Sequence, residues 1–136
     1  MKLTFVVPAY NEEKYIGNCL KSILREIEGK GYDVEIIVVN NASTDGTREI
    51  ALSFETVRVV DEPNKGLSKA RAAGFLASSG DLIANVDADT LLPAEWVEKV
   101  FYEFKNDNNL VALSGPYIYY DLSFFANFMV KIFYFL

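Results

Sequence analysis

Asp87-Ala88-Asp89 sets two carboxylates one residue apart, directly behind the apolar stretch Asp81-Leu82-Ile83-Ala84-Asn85-Val86. Like charges held that close repel. A hard divalent cation relieves the conflict by accepting carboxylate oxygen and leaves coordination positions open for phosphate oxygens. Alone, the tripeptide fits an exposed acidic turn or helix cap leading into Pro93 equally well. What favours a site is its company: Pro8-Ala9-Tyr10-Asn11-Glu12, Asn40-Asn41-Ala42-Ser43-Thr44-Asp45-Gly46 and Asp61-Glu62-Pro63-Asn64-Lys65-Gly66 also follow apolar runs.

Each of these stretches has a plain reading beside a functional one. Ser43 to Gly46 suit a turn and helix cap, whereas Asn40 and Asn41 can face a base or ribose. Gly66-Leu67-Ser68-Lys69-Ala70-Arg71 opens a helix, so free amides and a positive helix end lie near Gly66, with Lys69 and Arg71 available for a phosphate. On a helix, such basic residues also suit a solvated face. The chain has no histidine and one cysteine, so any metal is bound by oxygen. Cys19 falls on the apolar face of an expected helix and reads as a small buried hydrophobe.

These residues need elements to position them. Residues 3–7, 34–39 and 81–86 read as short buried strands, with a weaker one at 57–60. Between them, Ile16, Leu20, Ile23, Leu24 and Ile27 fall at helix spacing, as do Ile50 and Phe54, then Leu67, Ala70, Gly74 and Ala77. Pro93 fits the first turn of a further helix with Trp96, Val97, Val100, Phe101 and Phe104 on its apolar face, and residues 110–114 suit another strand. The alternation predicts an α/β fold: an open, mostly parallel, Rossmann-like sheet with helices on both faces. Ligands then belong at the carboxyl ends of the strands, where the four polar loops converge.

With 136 residues, the chain is one domain's worth. Its net charge of -6 argues against nucleic acid as a partner and makes a cation the simplest way to hold a diphosphate. The apolar start is too short for a secretory signal, so the expected location is cytoplasmic. Residues 1–116 are expected to form the core. Residues 117–136 form an apolar, aromatic segment that reads as truncated; from 122 onward it is shorter than the roughly 20 residues of a spanning helix. A helix packed on the core, a homodimer contact, or peripheral association with the inner face of a membrane are the readings for it.

Taken together, Val6-Val7-Pro8-Ala9-Tyr10-Asn11-Glu12-Glu13, Asn41-Ala42-Ser43-Thr44-Asp45-Gly46-Thr47, Asn64-Lys65-Gly66 with Ala70-Arg71, and Asp87-Ala88-Asp89 resemble the inverting family 2 glycosyltransferases of GT-A fold, a group related to polyprenyl-phosphate mannose synthases. The resemblance implies a nucleotide-diphosphate sugar of UDP or GDP type, a saccharide or lipid-linked acceptor, and Mg2+ or Mn2+. It implies that Pro8, Ala9, Tyr10, Glu12, Val39 and Asn41 contact the nucleotide. Asp87 and Ala88 then meet the donor, Asp89 ligates the metal with Asp87 beside it, and Lys69 is similar to a donor-phosphate lysine.

Two departures stand out. Asn40-Asn41 replaces the usual aspartate pair, which removes a carboxylate acceptor. The family's catalytic base lies well beyond the metal motif, so none is assigned; Asp121 is too close behind Ser114-Gly115-Pro116. A non-catalytic nucleotide-binding module is the rival reading. A sugar-phosphate nucleotidyltransferase fits the sheet but lacks a Gly-rich basic first loop.

Overall fold

The computed structural model describes residues 1–115 together with Ser123, Ala126 and Met129. The chain forms two compact units, Met1–Val97 and Glu98–Leu136. The first carries β1 (Leu3–Ala9), α1 (Ile16–Ile27), β2 (Val34–Asn40), α2 (Thr47–Leu52), β3 (Val57–Asp61), α3 (Leu67–Ala77) and β4 (Leu82–Asn85); α4 (Trp96–Asn106) starts at its end. The four strands are parallel and ordered β3-β2-β1-β4. This is the expected α/β sheet with helices on both faces.

Every residue of β1 is buried, which explains its unbroken apolar run: a central parallel strand is covered on both sides. Val6, Ile37 and Val39 share one face and form a cluster with Ala70 of α3. Phe5, Val7, Ile36 and Val38 alternate with them, are equally buried, and occupy the opposite face. There α2 packs against β2 and β3, and the Trp96 ring lies 5.7 Å from that of Phe5. In α1, Ile16, Cys19, Leu20 and Ile23 recur at three- and four-residue spacing and are fully buried.

The approach of α3 depends on Gly74. A Cβ there would come within 2.2 Å of Val6 Cγ1 and 3.1 Å of Val39 Cγ2. Gly74→Ala is therefore expected to destabilise the domain by about 1–3 kcal/mol from overpacking, more than the up to ~1 kcal/mol that alanine adds to helix propensity. Urea denaturation measures this, and adding Val6→Ala should recover part of the loss. Unchanged stability would mean that α3 lifts away from the sheet without penalty.

From β1 the chain steps outward through β2 to β3, then α3 returns it to the other side of β1 as β4. The direction of winding reverses between β1 and β4. In open parallel sheets a crevice forms at such a point, beyond the carboxyl ends of the strands.

Three local expectations are corrected. The α2 helix stops at Leu52 rather than reaching Phe54, because Ser53 Oγ bonds the Ile50 carbonyl and the Phe54 amide tightens onto Ala51. Pro93 precedes α4 instead of occupying its first turn, since Glu95 at φ 64° breaks the chain direction before Trp96. Residues 110–114 form no strand: the segment has no regular backbone pattern and Val111 is 94% exposed. The 116/117 boundary, Asp121 and most of the apolar segment lie outside the described residues.

Candidate functional site

The loops after β1 and β2 lock together through the very residues that make their motifs. Backbone amides of Asn11, Glu12 and Glu13 donate to Ser43 Oγ (3.1 Å), Thr47 Oγ1 (2.8 Å) and Asp45 Oδ2 (3.2 Å). In return, Thr44 N donates to Asn11 Oδ1 and Gly46 N to Glu13 Oε2, each at 2.8 Å. Asn11 and Ala42 take left-handed backbone conformations, φ 54° and 58°, to make these turns. The functional consequence is positional. The brace fixes Tyr10 and Glu12 beside the sheet edge.

At the end of β2, both asparagines hold neighbouring chain. Asn40 lies opposite Asp61 in the ladder and its Nδ2 donates to Asp61 Oδ1 at 2.8 Å. Asn41, 3% exposed, donates from Nδ2 to the carbonyls of Glu62 (3.0 Å) and Asn64 (2.9 Å), while its Oδ1 accepts from Gly66 N (2.8 Å). It thereby shapes the β3–α3 loop, where Gly66 sits at φ 146°, a backbone that L side chains rarely adopt.

Asp61 also binds Arg48 through two nitrogens, Nε at 3.0 Å and Nη2 at 3.0 Å. The Arg48 hydrogen bonds first, then that of Asn40, hold its carboxyl below the ordinary value against the opposing pull of desolvation. A depressed carboxylate contributes stability above its unfolded pKa and loses it as pH falls through the folded value. Arg48→Ala is expected to raise the Asp61 pKa toward that of ordinary aspartate, read by an NMR titration of the carboxyl carbon. No change would assign the shift to Asn40.

Beyond β4, Asp87, Ala88 and Asp89 form a turn closed by Thr90 N on the Asp87 carbonyl. Arg71 of α3 reaches Asp87 Oδ1 at 3.2 Å. Ala88 is buried, while Asp89 is exposed. The negative field here is strong: Glu12 has its pKa raised by desolvation first, then by Asp89, Asp45 and Asp87. Cys19 lies beneath, its Sγ 3.7 Å from the Asp87 carbonyl. Burial foremost, then Asp89 and Asp87, push its thiol up to about 12. It is fully buried, as expected of a cysteine on the apolar face of α1.

These strand ends line a cleft of about 420 Å³ with Pro8 and Ala9 at the end of β1, Tyr10 and Glu12 beyond it, Asn41 after β2, and Asp87, Ala88 and Asp89 after β4. Two residues singled out from sequence lie elsewhere. Val39 is fully buried among Val6, Ile37 and Ala70, because strand alternation sends it to the α3 face of the sheet. Lys69 is exposed and does not line the cleft. In its place the fold brings Lys65, Gly66, Leu67 and Ala70, residues whose signal was the short Asn64-Lys65-Gly66 turn at a helix start. Lys65 Nζ stands 3.7 Å from the centre of the Tyr10 ring.

Glu12, Asp87 and Asp89 offer only oxygen, the donor chemistry that suits Mg2+ or Mn2+. Among the described residues no three acidic, histidine or cysteine side chains converge to hold an ion by themselves. The set fits a cation that takes one or two carboxylates and completes its shell with substrate phosphates.

A family model described as Glycosyl transferase family 2 matches residues 4–134. The chain belongs to this family. Among its relatives, the dolichol-phosphate mannosyltransferase of Pyrococcus furiosus is 33% identical over 122 residues, covering 87% of this chain and 34% of that enzyme. Among solved structures, residues 1–349 of Staphylococcus aureus TarS superpose with a TM-score of 0.73 at 23% identity, over 87% of this chain and 40% of that fragment, which supports the GT-A architecture. Glucosyl-3-phosphoglycerate synthase of Mycobacterium tuberculosis, solved with Mn2+, uridine diphosphate and phosphoglyceric acid, gives 0.62 at 28% identity, over 76% of this chain and 38% of that one. The family 2 domain described here thus spans about a third of the length of the mannosyltransferase it matches.

Proposed function

We propose that this family 2 domain binds a nucleoside-diphosphate sugar through a divalent cation and presents it for inverting transfer to an acceptor hydroxyl. The observation that carries the reading is the junction of β1 and β4. There an aromatic ring, a pair of aspartates and the amino end of α3 line one cleft. Gly66, at the N-cap of α3, has no side chain to cap the helix, and its own amide is taken by Asn41 Oδ1, so the amides of Leu67 and Ser68 are the ones that suit an anion such as the diphosphate. Tyr10 offers a flat face for the base. Asn41 Oδ1 keeps one lone pair beyond its bond to Gly66.

Asp89, with Asp87 beside it, would hold Mg2+ or Mn2+; the ion supplies neutralisation of the departing diphosphate. Arg71 orients Asp87 through its 3.2 Å bond. The braced β1 and β2 loops keep Tyr10 and Glu12 in register with the aspartates, which lowers the ordering cost of binding. The Mn2+ and uridine diphosphate bound by the mycobacterial synthase support both the metal and a uridine base.

The acceptor we propose is a saccharide or a lipid-linked group, the latter supported by the name of the Pyrococcus relative. Among the described residues no helix is long and apolar enough to cross a membrane. We place the reaction in the cytoplasm or at the inner face of the membrane, with the apolar residues 122–136 meeting a membrane, a second copy or the core.

Calorimetric titration of UDP, with GDP as comparator, in the presence and absence of Mn2+ tests the proposal. Uridine diphosphate binding that strengthens with Mn2+ supports it. Binding of neither nucleotide, or binding indifferent to Mn2+, would overturn it.

A further inference from the structure

We propose that Lys65 is a specificity residue that couples base stacking to diphosphate binding: it competes with the base for the Tyr10 ring and pairs with the diphosphate. The inference rests on the donor-binding reading of the cleft and names a role which that reading leaves unassigned.

Lys65 is the only basic residue among those that line the cleft, where Glu12, Asp87 and Asp89 supply negative charge. Arg71 of α3 is already bonded to Asp87. The Lys65 ammonium instead lies on the Tyr10 ring, 3.7 Å from its centre, a cation–π contact with the face that a flat base would need. No hydrogen bond or ion pair ties this ammonium among the described residues, and Lys65 is exposed. A cation–π contact at an exposed site is weak and exchanges easily for a full anionic charge.

The backbone around this side chain is fixed. Gly66 N is held by Asn41 Oδ1 at 2.8 Å, and Asn64 N by Glu62 Oε1 at 2.7 Å. The flexible four-carbon stem therefore pivots from a stationary base, and its ammonium serves either the ring or an anion at the amino end of α3. A nucleoside that lacks phosphate must displace Lys65 from Tyr10 and gives it nothing in return. A nucleoside diphosphate displaces it and receives it. The cleft thus discriminates against ligands without a diphosphate.

The test compares uridine and UDP, both with Mn2+, on the wild-type chain and on Lys65→Met, which keeps the stem and removes the charge. Binding is followed by calorimetry for UDP and by NMR shifts of the backbone amides of Ala9, Asn41 and Gly66 at the cleft for uridine. Lys65→Met is expected to bind uridine about two- to fivefold more tightly, the size of an exposed cation–π contact. It should bind UDP at least about fivefold more weakly, since one charge-assisted bond outweighs the released ring. Adding Tyr10→Leu should abolish the gain for uridine. If both ligands shift in the same direction, or neither shifts, the coupling is wrong although the cleft still binds donor. If the wild-type chain binds neither, the donor-binding reading fails and the proposal falls with it.

Discussion

Asp89→Ala should weaken Mn2+-dependent binding of UDP about 100-fold, the upper range for removing a supporting group at a metal centre. The reason lies in the count of protein ligands. No three acidic, histidine or cysteine groups among the described residues could hold an ion by themselves, so under the proposed reading each aspartate would carry a large share of what the protein contributes. Asp87 cannot substitute freely, because its Oδ1 is engaged by Arg71 at 3.2 Å. Asp89 is exposed at the end of a turn, and a melting temperature recorded beside the affinity separates loss of cation binding from loss of fold. Calorimetry with and without Mn2+ reads the effect. Retention of metal-dependent affinity would remove Asp89 from the cation site.

A second large effect is expected for Asn41→Asp, a change of one atom type. The asparagine amide donates to two carbonyl oxygens at 3.0 and 2.9 Å in a setting only 3% exposed. A carboxylate there would confront both carbonyls with negative charge and no proton to share. About 3–5 kcal/mol of stability should be lost, as for other uncompensated buried charges. Urea denaturation measures it, and Asn41→Leu separates lost hydrogen bonds from added charge. If the aspartate variant is as stable as the parent, the β3–α3 loop does not depend on this clamp.

The same geometry explains why this chain carries amides where its family usually has carboxylates. From sequence, Asn40-Asn41 could be seen only as the loss of an acceptor for the base. In the fold, Asn40 stands 2.8 Å from the Asp61 carboxylate and Asn41 faces carbonyls, so both positions call for a donor. Those partners lie some twenty residues ahead in the chain, out of reach of any local pattern.

The strands were legible because parallel strands buried on both faces leave continuous apolar runs, and α1 because its apolar stripe repeats at helical spacing. A short apolar run is ambiguous without a partner, which is why residues 110–114 suggested a strand that the fold does not make. Val39 was implied by the family resemblance alone, and the direction of its side chain depends on the sheet's register. The acidic turn and the first loop, which the fold brings to the same cleft, were legible as parts of one candidate site because motif order and strand ends coincide. Lys65 was not, since its place follows from a contact with Tyr10 across fifty-five positions of sequence.

The cross-braced loops at residues 11–13 and 43–47 also bear on how this domain can be recombined. Each segment supplies both donors and acceptors to the other, so neither is a self-sufficient cassette. A chimera that takes the first loop from one relative and the second from another would inherit mismatched halves of one joint. Variation at these positions is then expected to travel in pairs: Asn11 with Thr44, whose hydroxyl also donates to Asn11 Oδ1 at 3.3 Å, and Glu13 with Gly46, where a Cβ would stand 3.1 Å from Glu13 Oε2.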